Sequence, residues 1–189
     1  MAGTEPSRRG HAEWIAHGER SIYESKWLNV HLVDVEAPDG SRFDHHVVRM
    51  QRVAVAVVLN DDQDAVLMLR RHRFIDDSWG WEVPVGIVEP DEDAIATAAR
   101  ELEEETGWRA YGLRRVVAFQ PAIGIADTPH EVFFGRGAEQ VGDPTDLTEA
   151  DEVAWTPVEN LLAMVNDGRI RDGATLIGVL HLLASRNTL

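Results

Sequence analysis

An α+β architecture, a sheet held between helices, is the fold class this sequence predicts, and three observations predict it. Strand-like apolar runs dominate the chain as far as Val88. One helix-like stretch, about Glu92 to Thr106, follows them, and more strand-like runs come after it. Two further helix-like segments close the chain. That order gives an α/β/α sandwich around a mixed sheet, not a regular βαβ repeat.

Residues 1–12 are polar and read as a disordered tail; Met1 to His11 lacks the apolar stretch of a signal peptide. No run approaches the ~20 apolar residues of a membrane span, so a soluble, cytoplasmic chain with no membrane partner is expected. Residues 13–50 read as an N-terminal β element and residues 51–189 as the main domain. Asn29 to Glu36 alternates fairly, Ala37 to Ser41 is a turn, and Phe43 to Arg49 returns as the second arm of a hairpin. Val53 to Leu59 is an unbroken apolar run, fit for a strand buried on both faces. Asn60 to Asp64 turns the chain into a strand from Ala65 to Arg70. Asp61, Asp62 and Asp64 look superficially like a calcium loop, but the mid-loop glycine and closing glutamate are missing and strands flank it. Trp79 to Val88 reads as a strand or extended loop broken by Pro84 and Gly86. Leu113 to Phe119, Glu131 to Arg136 and Glu152 to Trp155 read as strands, and Val158 to Asn166 and Ala174 to Ser185 as helices.

The 189 residues carry a net charge of -15 and no cysteine. Disulfides and thiolate metal sites are thereby excluded. So acidic a surface repels nucleic acid and anionic membranes. It also repels a phosphate-bearing substrate unless metal cations bridge the two.

The central helix concentrates the acid. Asp91 can cap it, Glu92 and Asp93 sit against the positive end of its dipole, and Gly107 suits the residue just past its end. Ala94, Ile95, Ala98, Ala99 and Leu102 fall on one face, expected to pack on the sheet. Its last turn is anomalous, because Glu101, Glu103, Glu104 and Glu105 crowd the negative end of the dipole. Glu101 and Glu105 repel at i,i+4, while Arg100 can hold Glu104. One explanation is a solvated acidic face. The other is a divalent cation that turns the repulsion into a ligand set.

Context separates the two. Gly86, five residues, Glu92, seven residues, Arg100-Glu101-Leu102, one residue, Glu104-Glu105, one residue, Gly107-Trp108 resembles the Nudix box, with every fixed position matched. The resemblance implies a Nudix fold with a mixed sheet, and activity on a nucleoside diphosphate linked to another moiety. It implies Mg²⁺ or Mn²⁺ held by Glu101, Glu104 and Glu105, with the carbonyl of Val85 as a further ligand. It also implies that Arg100 orients a carboxylate, that Gly86 allows close approach of the chain, and that Glu92 is a structural partner in the loop.

Flanking segments narrow the resemblance to ADP-ribose pyrophosphatase-like members. Trp81 to Gly86 is similar to their W-E-(apolar)-P-A-G approach, and Phe119 to Asp127 to their Y-Y-P-S-P-G-F-S-D segment. Pro121, Gly124 and Asp127 match; Ile123 and Thr128 depart from the pattern. Members of this group commonly use a glutamate from a loop after the box as general base. Glu149 is the first candidate, with Asp151 and Glu152 behind it and Glu105 as the alternative. Among Arg70, Arg71 and Arg73, Arg73 aligns best with an arginine that meets substrate, and Glu82 joins it by the flanking pattern. Ordinary surface arginines are the alternative. Trp79 and Trp81 suit a core or an interface better than stacking on a base. The resemblance also implies a homodimer made through the N-terminal strands. The competing functions are a nucleoside triphosphate pyrophosphatase and a Nudix-like module that binds a nucleotide sugar without cutting it. The complete box and the acidic charge speak against the module.

Overall fold

A computed structural model describes residues 13–145 and 150–186; the tail expected at residues 1–12, and Glu149, lie outside the described residues. In chain order the strands are β1 (Ile15–Glu24), β2 (Leu28–Glu36), β3 (Arg42–Met50), β4 (Val53–Leu59), β5 (Ala65–Arg73), β6 (Ser78–Glu82) and β7 (Val85–Ile87). Helix α1 (Ala94–Thr106) follows, then β8 (Trp108–Ala110), β9 (Arg114–Phe119), β10 (Ala126–Asp127), β11 (His130–Arg136), β12 (Ala138–Gln140) and β13 (Glu152–Pro157). Helices α2 (Val158–Asn166) and α3 (Gly173–Ser185) come last. The chain forms two units, one running to Met50 and including Ile123–Asp127, the other of Gln51–Ala122 and the chain from Thr128 onward.

The first unit is a four-stranded sheet in the order β1-β2-β3-β10. The expected hairpin is β2–β3, in unbroken register from Leu28 opposite Met50 to Glu36 opposite Arg42. Its turn closes through the Ala37 N–H to the Ser41 carbonyl at 2.8 Å. The edge strand β1 is exposed along its whole length.

The second unit is the α/β/α sandwich. Its sheet runs β13-β5-β4-β11-β9, with β6 on β5 and β7 on β4. Alternation along β4 divides the core into two layers. Ala54, Ala56 and Val58 face α1 together with Leu67, Ala94, Ala98 and Leu102. Val55, Val57 and Leu59 face α2 and α3 together with Val66, Met68, Leu161 and Val179. Such burial contributes about 25 cal/mol for each Å² of apolar surface removed from water.

The sheet splays where the site is built. Strands β4 and β5 are paired in register at Leu59 and Val66, and then β5 pairs with β6 while β4 pairs with β7. Pro84 lies between β6 and β7, where its missing N–H breaks the ladder. Its carbonyl accepts the Ala56 N–H at 2.9 Å, which hands the chain from one strand to the other.

Three short strands, β8, β10 and β12, escape the sequence reading because two or three residues show no alternation. The start of the central helix needs a correction. The cap is Asp93, not Asp91: its backbone is extended and its carboxylate accepts the Ile95 N–H at 3.4 Å. The packed stripe is corrected too. Ala99 is exposed, whereas Thr97 and Glu105 are buried beside Ala94, Ala98 and Leu102.

Candidate active site

The candidate site is assembled where α1 faces the splayed strands. Gly86 lies on β7 opposite Ala54, immediately after Val85. A Cβ at Gly86 would overlap Cγ, Cδ and Oε1 of Glu101, so only glycine lets the strand pass this carboxylate. Helix α1 ends at Gly107, which adopts φ 74° and donates its N–H to the Glu103 carbonyl at 2.8 Å. A Cβ there would strike the Gly142 carbonyl. The loop after β12 packs on this end, with the Val141 N–H on the Gly107 carbonyl and the Thr145 N–H on the Glu104 carbonyl, both at 2.9 Å. Carbonyls of the last turn thus find backbone donors.

Three arginines answer the crowded glutamates. Arg100 donates Nε and Nη2 to the two oxygens of Glu92 at 3.1 and 3.2 Å. Its Nη1 reaches Glu101 at 2.8 Å and Glu104 at 2.9 Å. This clamp holds the Glu92 carboxyl below its ordinary range, and the three carboxylates raise the Arg100 guanidinium. Glu103 turns away to Arg109, at 3.0 and 3.1 Å. Glu105 points into the protein, where Arg71 Nη2 meets its Oε1 at 3.0 Å, both side chains being at most 4% exposed.

Arg71 and Arg73 reach this side of the sheet by alternation from Leu67 and Leu69 on β5. Leu69 is paired with Glu82 on β6, which puts that carboxylate on the same face. Arg73 grips Glu82 through Nε at 2.9 Å and through Nη2. Arg71 Nε lies 3.9 Å from the same carboxylate. Arg73, Glu82, Arg71 and Glu105 therefore form an alternating row of charges. Arg73 and Glu82 also line a cleft of about 350 Å³ with Ser78, Gly80, Arg171 and Asp172. Arg171 is brought there because the Arg169 carbonyl accepts the Trp81 N–H at 2.8 Å along the edge of β6.

Sequence reasoning named Arg71 without giving it a role and missed Arg171. The pattern Leu67, Leu69, Arg71 was the signal for the first; a non-local strand contact hides the second. Trp81 packs on the core, and Trp79 is half-exposed with the Arg70 guanidinium 4.4 Å above its ring. Arg70 also binds Asp151 at 2.5 Å, and Glu152 is exposed at the start of β13.

Among the described residues no three acidic or histidine side chains converge as a ready-made metal cage. The donor chemistry nevertheless fits a hard divalent cation, which takes carboxylate and carbonyl oxygens. Glu101 lies against the strand at Gly86, and a carboxylate has lone pairs enough to accept from an arginine and ligate an ion together.

Comparison with known proteins gives the family. Residues 50–175 match the NUDIX domain family, and residues 14–48 match the nucleoside diphosphate sugar hydrolase N-terminal domain. The CMP-5'-(N-acetyl-N-hydroxy-3-aminopropyl)phosphonate hydrolase of Streptomyces rubellomurinus is 42% identical, over 90% of this chain and 82% of that protein. The ADP-ribose pyrophosphatase of Bacillus subtilis is 30% identical, over 87% of this chain and 89% of that one. A crystal structure of an ADP compounds hydrolase superposes with a TM-score of 0.81 at 16% identity, covering 96% of this chain and all of the other, which establishes the shared fold.

Proposed function

The chain belongs to the Nudix family, and from that premise we propose that it is a divalent-metal-dependent hydrolase of the pyrophosphate linkage in a nucleoside diphosphate derivative, ADP-ribose or a related nucleotide sugar. The observation that carries this reading is the row Arg73–Glu82–Arg71–Glu105. It runs from a cleft where Arg73 and Arg171 stand beside Asp76, Glu82 and Asp172 to the buried box carboxylate Glu105; Arg73 offers this cleft a guanidinium of the kind that binds phosphate.

Glu101, Glu104, Glu105 and the Val85 carbonyl would hold the Mg²⁺ or Mn²⁺. When bound, such ions neutralise phosphate charge and make water a stronger nucleophile. Arg100 donates to both Glu101 and Glu104 and so orients them. Arg73, with Glu82 beside it, meets the substrate at the cleft, which Arg171 also lines. Glu149 remains the proposed general base, with Glu105 as the alternative. Residues 13–50 are proposed as a homodimer interface, supported by exposed Trp14, Ile15, Tyr23 and Trp27.

A second substrate has its own support. The relative from Streptomyces acts on a CMP-linked phosphonate, and Ile123 stands where the ADP-ribose segment carries its second proline. The test is phosphate release after added phosphatase. Nucleoside diphosphate sugars, dinucleotides, triphosphates and a CMP-linked phosphonate are offered with Mg²⁺ or Mn²⁺ to wild type and to Glu105→Gln. Cleavage of one diphosphate derivative, lost in the variant, supports the reading. Cleavage of triphosphates alone favours the pyrophosphatase alternative. A melting temperature raised by a nucleotide sugar that is never cut favours the binding module.

A further inference from the structure

We infer that Arg71 is a built-in counter-cation: it holds Glu105 and Glu82 in the metal-free protein and competes with the divalent ion for Glu105. The inference rests on the metal role proposed above for Glu105. Arg71 and both carboxylates are at most 4% exposed, and the guanidinium lies 3.0 Å from Glu105 and 3.9 Å from Glu82. Two glutamates from two elements are thus buried together, Glu105 from α1 and Glu82 from β6. Without a cation beside them each would bear a large desolvation cost.

The other box carboxylates have a different environment. Glu101 and Glu104 are held by Arg100, whose side chain is 37% exposed, so water screens that clamp. No such screening reaches Arg71. A divalent ion on Glu105 stands one carboxylate away from this fixed positive charge, and in a dry site the two repel strongly. Part of the binding free energy of the ion is then spent against Arg71. A neutral side chain at this position removes the competitor and leaves Glu105 short of a cation, and both changes favour the metal. Arg71 is a positioning residue: it acts on Glu105 and sets how tightly the ion is held.

The test uses the full chain and Mn²⁺ as probe, at a pH well above the carboxylate range. Affinity is read by calorimetry and stability by thermal melting in EDTA. Arg71→Gln is expected to melt lower in EDTA and yet bind Mn²⁺ about tenfold tighter or more, in line with the coupling between close buried charges. Arg71→Lys keeps the charge and is expected to bind within about threefold of wild type. In a Glu105→Gln background the gain from Arg71→Gln should vanish. If Arg71→Gln is unfolded in EDTA, Mn²⁺ should restore its circular dichroism; a chain that stays unfolded overturns the inference. Unchanged or weaker Mn²⁺ binding by Arg71→Gln, or equal gains in the Gln and Lys variants, also overturns it. Wild type that takes up no Mn²⁺ sinks the metal reading itself, a result distinct from wild-type uptake with no gain in the variant.

Discussion

Gly86→Ala asks for one methyl group where the strand and Glu101 leave no room. The added Cβ would lie inside contact distance of three Glu101 side-chain atoms, one of them Cγ, so rotation of the carboxylate alone cannot relieve it. Either Glu101 leaves its rotamer and its 2.8 Å bond to Arg100, or β7 moves off β4. Overpacking of this kind costs about 1–3 kcal/mol. In a chain of this size that lowers Tm by roughly 2–12 °C. The catalytic loss should be larger if Glu101 is a ligand as proposed, because a ligand displaced by about 1 Å costs about 100-fold, or about 2.7 kcal/mol of transition-state stabilisation. The assay pairs kcat/KM on the cleaved substrate with a thermal melt. Gly173→Ala is the control: nothing lies within 4 Å of a Cβ there, and alanine suits a helix, so neither quantity should fall. A Gly86→Ala enzyme within about threefold of wild-type kcat/KM would refute the claim that Glu101 works from beside this strand.

Acid stability should carry the mark of Glu92. Arg100 lowers its folded pKa below the unfolded value, so its contribution is full above the unfolded value and is lost as pH falls through the folded one. Glu92→Gln should therefore destabilise the protein near neutrality and lose less stability on acidification than wild type, as urea melts at several pH values will report; parallel curves would disprove the linkage. Arg73→Ala should raise KM about tenfold with a smaller change in kcat, because on the proposed function the cleft loses its phosphate partner; a fall in kcat at constant KM would move Arg73 to the chemical step. Trp27→Glu combined with Ile15→Glu, both exposed positions of the N-terminal unit, should convert the proposed dimer to monomers in light scattering; an unchanged mass would send the interface elsewhere.

Most of the sandwich was legible because its signals are local. The β4 run is apolar at every position since both its faces are covered, and α1 shows a cap, a stripe and a terminal glycine. The candidate carboxylates of the site were picked out by their fixed spacing. What escaped the sequence depends on contacts between distant elements. Asp93 rather than Asp91 caps α1, with Glu92 drawn onto Arg100. Glu105 looked like one more exposed acid of a repelling group, yet it continues the buried stripe and meets a strand residue 34 positions earlier in sequence. Arg171 reaches the cleft through a backbone bond between Trp81 and Arg169, which no periodicity announces.

The electrostatics of the site follow from where its charges stand rather than from the net charge of -15. Glu82, Glu92, Glu101, Glu104 and Glu105 meet three guanidiniums, Arg71, Arg73 and Arg100. Five negative charges against three positive leave two negative, the charge that one divalent cation neutralises. Arg171 adds nothing to the balance, being paired with Asp76 at 2.6 Å. A second ion would then need negative charge from elsewhere, and a pyrophosphate supplies it. On this arithmetic the apoprotein should hold one ion well and further ions only together with substrate. Replacing Arg71 by a neutral residue leaves three negative charges in place of two. The same arithmetic that makes the acidic last turn tolerable thus gives the sign of the metal-affinity change that Arg71→Gln must show.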